Sequence, residues 1–167
     1  MKLKLKPYIK KLPEGISLNQ PDVALATWFG AGLLRPASGT IGTIAAIPFG
    51  FAINYFSHPI FLLIAAFILF VGSVRPVNRF GKTVGETDSS SIVVDEVVGM
   101  WIAGAAAFTN PTLWIIAFLL FRFFDIVKVQ PAKLFDKKVK NGFGVMMDDV
   151  IAGIYALLGV SIMSVIL

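Results

Sequence analysis

The sequence predicts an all-α fold: a polytopic integral membrane helical bundle of about five transmembrane helices, with a short interfacial or re-entrant apolar segment ahead of them. Three observations carry that prediction. Of 167 residues, 56% are hydrophobic and 15% charged, whereas an ordinary soluble domain carries about 25% charged residues; mean hydropathy is +0.79. Between residues 36 and 74 there is no Asp, Glu, Lys or Arg, a length that accommodates two crossings. The basic residues fall in clusters flanking apolar runs, the distribution expected of loops on one side of a membrane.

Taken in order, residues 1–22 read as a basic, Pro-interrupted cytoplasmic arm, and residues 23–167 as a single membrane-embedded domain. No apolar run and cleavage site follow the N-terminal lysines, so no secretory signal peptide is predicted. Residues 23–34 are apolar but too short to cross ~30 Å at ~1.5 Å per residue; they are expected to lie in the interface or to dip in and return. Residues 35–43 read as a loop, because Pro36, Gly39 and Gly42 interrupt a helix. Crossings are expected at 40–56 and 60–72, with a turn at Ser57, His58 and Pro59. Residues 74–91 carry Arg75, Arg79, Lys82, Glu86 and Asp88 and read as an exposed loop. Its end, Asp88 to Ser91, offers an N-cap for a helix over 92–108. A turn at Thr109, Asn110 and Pro111 leads to a helix over 112–128. Residues 131–144 are a Lys-rich loop, and 148–167 the last crossing.

Counting sides from a cytoplasmic arm puts the turns at His58 and Asn110 outside. All fifteen Lys and Arg residues and all ten Asp and Glu residues then fall inside, a strong positive-inside pattern.

The chain has no cysteine and one histidine, His58. Thiolate metal sites, disulfides, cysteine nucleophiles and His-based phosphatase chemistry are excluded together. A metal here has oxygen ligands, which favours Mg²⁺, Mn²⁺ or Ca²⁺. The net charge of +5 comes without an aromatic-interleaved basic surface, so no nucleic-acid partner is expected.

Several charges need a reason. Only twenty-five residues separate Glu96 from Arg122, yet the pattern calls for a hairpin of two helices. Asp95, Glu96, Arg122 and Asp125 should therefore lie at shallow depth and face the bundle interior, where ionisable groups are candidates for function. Asp95-Glu96 and Asp148-Asp149 each open an expected helix, and one acid at such an end needs only the macrodipole. Two pairs with Asp125 make five carboxylates on one side, which repel one another unless cations neutralise them; a divalent metal is the economical answer. Arg122, Asp125 and Lys128 share a face of about 120°. They read either as an Arg122–Asp125 ion pair with Lys128 snorkelling to headgroups, or as a set turned toward the site. The GTIGT run at 39–43 can offer backbone N–H groups and the hydroxyls of Thr40 and Thr43 to a phosphate; small residues also serve tight helix packing. His58 reads as a turn residue, and Trp28, Trp101 and Trp114 as packing or interface residues.

Four blocks together, GTIGTIAAIPFG (39–50), SIVVDEVVGMWI (91–102), FRFFDIVKVQPAKLFD (121–136) and GFGVMMDDVIAG (142–153), resemble the phosphatidylglycerophosphatase A family in order and separation. The resemblance implies a Mg²⁺-dependent phosphatase of the bacterial inner membrane. Its substrate would be the membrane phospholipid phosphatidylglycerophosphate, giving phosphatidylglycerol and inorganic phosphate, with N-terminus and active site cytoplasmic. Asp95, Glu96, Arg122, Asp125, Lys128, Asp148 and Asp149 occupy the family's motif positions. The carboxylates Asp95, Glu96, Asp125, Asp148 and Asp149 are then the expected metal ligands and catalytic groups, and Arg122, Lys128, Thr40 and Thr43 the expected phosphate contacts. Two positions depart from the family pattern: Val129-Gln130-Pro131 follows the motif lysine where Pro-Trp-Pro is common, and Ser38 stands where a proline usually precedes the first block. Both alter loop shape rather than the charged set. Two rival classes share an acidic interhelical site. A cation transporter would place its acids near the midplane on broken helices. A CDP-alcohol-type lipid phosphotransferase would carry an Asp-rich signature within one helix, which is absent. The sequence does not fix an oligomeric state.

Overall fold

The computed structural model describes residues 8–86, 89–133, 139 and 141–167, and among these every regular element is helical. In chain order the α-helices are α1 (Pro21–Ala26), α2 (Ser38–Phe56), α3 (Pro59–Val84), α4 (Val94–Gly104), α5 (Pro111–Val127) and α6 (Gly142–Ile166). Short 3₁₀ turns lie at Ala31–Leu33 and Ala105–Ala107. Three helices, α2, α3 and α6, are long and apolar enough to cross a membrane. The other two long elements are shorter: α4 has 11 residues and α5 has 17, or about 16 and 25 Å at 1.5 Å per residue.

The shortest of these five is the central one. Val94, Val97, Val98, Met100 and Ala103 of α4 are fully buried, and the helix packs against α2, α3, α5 and α6. Outward faces of the surrounding helices carry exposed apolar side chains such as Phe67, Ile68, Ile115, Leu119 and Ile162. An apolar exterior this extensive marks a surface that meets lipid.

An α-helix ending inside a bilayer must have its terminal carbonyls satisfied. At the end of α4 the buried Asn54 of α2 does this, its Nδ2 donating to the carbonyls of Gly104 at 3.0 Å and Phe108 at 3.1 Å. Trp114 Nε1 also donates to Phe108 at 3.0 Å, and Trp101 Nε1 to Ala46 at 3.0 Å; both tryptophans are packing residues, as expected. The turns agree with the sequence too. His58 caps α3, its Nδ1 accepting from Ile60 N–H at 3.3 Å. Asn110 caps α5 by accepting from Thr112 and Leu113.

Residues 23–34 do not cross; they form α1, tight turns and the first 3₁₀ turn. The arm lies along this segment, with Lys10 N–H donating to Leu33 and Arg35 N–H to Tyr8, each at 2.8 Å.

Four boundaries differ from the sequence reading. Helix α3 runs through most of the expected loop, ending only at Gly85, whose φ is +76°. Its last turns are amphipathic: Val77, Phe80 and Gly81 are buried while Arg75, Arg79 and Lys82 face outward. Helix α2 begins at Ser38, so the GTIGT run is helical; its glycines serve close approach, since a Cβ on Gly42 would strike Val93 Cβ at 2.6 Å. No side chain caps α4, which starts after Val93; Asp88 lies outside the described residues, and the serines instead bind the 35–38 turn, Ser38 Oγ donating to Ser90 O at 2.5 Å. Helix α6 starts at Gly142, capped by Asn141, so Asp148 and Asp149 lie in its second turn rather than opening it.

Candidate active site

The first turn of α4 carries Asp95 and Glu96, and the second turn of α6 carries Asp148 and Asp149. What brings them together is a glycine crossing. A Cβ on Gly153 would lie 2.6 Å from the carbonyl oxygen of Gly99 and 3.0 Å from its Cα, so the two backbones touch here. Asp95 is four residues before Gly99, and Asp149 four before Gly153. Residues four apart share a helix face, so two helices meeting at these glycines, and running the same way, set their carboxylates side by side one turn away. Oxygens of Asp95, Glu96 and Asp149 all lie within 4.8 Å of one another, a spacing at which one cation can reach all three. Asp95 is 8% exposed and Asp149 4%. Asp95 Oδ1 accepts from the Glu96 N–H at 3.0 Å, which fixes its rotamer.

The remaining acids border this trio. Asp125 faces both Glu96 and Asp149, and Asp148 is beside Asp149. All five expected carboxylates thus converge, with three close enough to share one ion.

Arg122 and Asp125 form the intrahelical pair foreseen as one reading, Nη1 to Oδ2 at 2.7 Å, with both side chains only 17% exposed. The Arg122 N–H is not directed along that line, and Nη1 lacks a hydrogen-bond acceptor among the described residues. Of the two readings of Lys128, snorkelling to headgroups or turning toward the site, its side chain takes the second. It terminates α5 in the left-handed conformation, φ 49° and ψ 62°, off the helical face, and its Nζ reaches Asp148 Oδ2 at 2.8 Å. Its charge is directed inward, to one of the two acids outside the trio.

The start of α2 closes the fourth side. A Cβ on Gly39 would collide with Glu96 Oε1 and lie 3.5 Å from both terminal guanidinium nitrogens of Arg122, so any side chain here would displace the Glu96 carboxylate. No side chain caps α2, and the first N–H groups of a helix have no partner within it. Thr40 is half-buried beside Gly39. Thr43 is fully buried and donates back to the Gly39 carbonyl at 2.9 Å.

One atom tests whether this donor set suits a metal. Glu96 Oε2 is buried and has no hydrogen-bond partner among the described residues, a costly state for a carboxylate oxygen without a cation. The all-oxygen set of Asp95, Glu96 and Asp149 is compatible with a hard divalent cation. Three glycines outside the charged set, Gly39, Gly99 and Gly153, assemble the site. For Gly99 and Gly153 the signal in the sequence is a glycine four residues after an acid, in VDEVVG and DDVIAG.

The geometry can be set beside known proteins. A protein from Haemophilus influenzae named phosphatidylglycerophosphatase A is 43% identical over 145 residues, covering 86% of this chain and 88% of the relative. The Escherichia coli protein of the same name is 36% identical over 140 residues, covering 83% and 81%. A Bacteroides thetaiotaomicron protein bearing the provisional name phosphatidylinositol-3-phosphatase is 38% identical over 148 residues, covering 84% and 91%. No solved structure matches. The family model described as phosphatidylglycerophosphatase A matches residues 24–164, which carry every residue of the site, and this chain belongs to that family.

Proposed function

We propose that the chain hydrolyses the terminal phosphomonoester of phosphatidylglycerophosphate to phosphatidylglycerol and inorganic phosphate, at the cytoplasmic face of the bacterial inner membrane, with Mg²⁺ held by Asp95, Glu96 and Asp149. The observation that carries the reading is the carboxylate trio, in which Glu96 Oε2 has no hydrogen-bond partner among the described residues, with Glu96 and the Arg122 guanidinium both against the Gly39 backbone. Membership of the family supplies the substrate. The orientation rests on the sequence count that assigns all fifteen Lys and Arg residues to loops on one side.

A divalent cation bound by the trio supplies Lewis-acid polarisation of a phosphoryl oxygen. Arg122 holds phosphate oxygens, its planar fork suiting bidentate contact. The uncapped N–H groups at the start of α2, with Thr40, face the same anion and favour its negative charge. Thr43 supports that turn from within the helix. Water attacks phosphorus in line and the P–O bond to glycerol breaks. The attacking water gives up its proton to a carboxylate of the site, and the departing glycerol oxygen takes one up. Asp125, outside the metal-holding trio, held by Arg122 and bordering Asp149, is the carboxylate placed to accept that proton. Lys128 and Asp148 balance charge at the rim.

The test is phosphate release by purified protein from phosphatidylglycerophosphate in detergent, with phosphatidylinositol 3-phosphate as a second substrate because of the Bacteroides relative. EDTA should abolish release and Mg²⁺ restore it. Asp95→Asn and Asp149→Asn should each lower the rate by about 10²-fold or more while still inserting and extracting normally. Near-wild-type rates in both variants would refute the metal-site reading.

A further inference from the structure

We infer that the open apolar groove between α2 and α5 seats one acyl chain of the lipid substrate while the phosphate lies at Arg122; this rests on the phosphatase reading above. The groove encloses about 290 Å³ and is lined by apolar side chains, among them Ile44, Ile47 and Phe51 from α2 and Trp114, Ile115 and Phe118 from α5. It is large enough for part of one chain and too small for a whole lipid.

Its walls lead to the site. On α5, Ile115 and Phe118 continue at helical spacing to Arg122, four residues on, and then to Asp125. On α2, Phe51, Ile47 and Ile44 continue back to Thr40. Residues at such intervals form one stripe on a helix. The two stripes converge where Gly39 stands against the Arg122 guanidinium. From Phe118 to Arg122 is about 6 Å along the axis. A diacyl lipid whose phosphate sits at Arg122 therefore has an apolar channel immediately beneath it, open sideways to the bilayer: Ile44 is 52% exposed and Ile115 61%.

A second apolar groove, of about 370 Å³ between α3, α4 and α6, has an α4 wall, Val98 and Ile102, on the Asp95 stripe, but no wall on α5, which carries Arg122. At its charged end Phe70 packs edge-on against Phe143, ring centroids 5.8 Å apart. Its α6 wall, Met147, Val150, Ile154 and Leu157, does not lie on the Asp149 stripe.

Lipid tails are as apolar as leucine, so moving a chain from bilayer to groove has little hydrophobic drive. The groove acts by orientation: one chain held in register fixes where the phosphate stands relative to the carboxylates. Blocking it should therefore alter turnover of long-chain lipid, not membrane insertion.

The experiment compares kcat/KM for long-chain phosphatidylglycerophosphate and a short-chain, water-soluble homologue in wild type, Ile44→Trp, Ile115→Trp and, on the lipid face of α6, Leu158→Trp. Both groove variants should lose at least tenfold of the wild-type preference for the long chain, and Leu158→Trp should keep it. Wild-type protein is also irradiated with phosphatidylglycerol carrying a diazirine in one acyl chain, and the labelled peptides should fall in 44–51 and 111–118. The groove assignment is overturned by an unchanged preference, by equal loss on both chain lengths, or by labelling confined to the α3–α6 groove. It is overturned too if Ile115→Cys cross-links to a second copy, which would mean the groove is a subunit interface. Wild type that hydrolyses neither substrate overturns the phosphatase reading itself, a result distinct from all of these.

Discussion

Replacing Gly153 with alanine adds one methyl group at the point where α4 and α6 touch. That Cβ would stand 2.6 Å from the Gly99 carbonyl oxygen, a backbone atom that cannot rotate aside. Reaching ordinary contact at 3.4 Å requires the helices to part by roughly 0.8 Å, and overpacking of this kind costs about 1–3 kcal/mol. The separation is transmitted one turn to Asp149, whose oxygen now lies within 4.8 Å of those of Asp95 and Glu96. A displacement near 1 Å in a reacting geometry lowers rate by on the order of 10²-fold, so Gly153→Ala should lose about 10- to 100-fold in phosphate release and need more Mg²⁺ for half-maximal activity. Gly72→Ala is the control, because a Cβ there meets nothing within 4 Å. The assay is a Mg²⁺ titration of phosphate release in mixed micelles, with thermal unfolding in the same detergent. A Gly153→Ala protein with wild-type rate and wild-type Mg²⁺ response would show that the crossing does not set the carboxylate trio.

Three further outcomes are expected. Asn54→Leu removes the donor to the Gly104 and Phe108 carbonyls at the far end of the bundle; stability in detergent should fall by about 1–3 kcal/mol, seen as a lower Tm, with the rate per folded molecule unchanged. Arg122→Lys keeps the charge but loses the planar fork; kcat/KM should fall about 10- to 100-fold, the range for a charged hydrogen bond of ~1.5–3 kcal/mol, and a loss below twofold would argue against bidentate phosphate contact. Lys128 and Asp148 meet at 2.8 Å, so Lys128→Met and Asp148→Asn should be non-additive in rate, the double variant being little worse than either single one; additive losses would mean that Lys128 acts on the phosphate independently of Asp148.

The chemistry of the site was more legible in the sequence than its architecture. Acidic and basic residues at the ends of membrane-length segments are conspicuous because lipid makes them costly, and Asp95, Glu96, Asp125, Asp148, Asp149 and Arg122 do meet. Helix limits were less visible, for opposite reasons at two places. In 74–84 polarity suggested a loop, but Arg75, Arg79 and Lys82 lie outside while Val77 and Phe80 are buried, and a helix accommodates both. In 39–43 glycine suggested a loop, whereas Gly42 leaves room for Val93 and Gly39 for the Glu96 carboxylate within a helix. Composition cannot separate glycine used for freedom from glycine used for space. Lys128 lies one residue past the end of α5, so its direction is set by a left-handed turn, which helical spacing does not encode. Of the five expected helices, three among the described residues are long and apolar enough to cross a membrane; α5 has 17 residues, and the 11-residue α4 ends within the bundle under the Asn54 amide.

The length of α3 bears on how the protein meets its lipid. At 26 residues it runs about 39 Å, some 9 Å more than the ~30 Å hydrocarbon layer, and its last turns carry Arg75, Arg79 and Lys82 outward. One of the three is committed to Asp22, at 3.2 Å on an exposed surface. Each cation near a membrane surface attracts anionic headgroups by about 1 kcal/mol, within a distance set by salt. The projecting end of α3 is thus a basic post at the protein surface, and attraction of anionic lipid to it predicts that the substrate fraction needed for half-maximal rate rises with ionic strength.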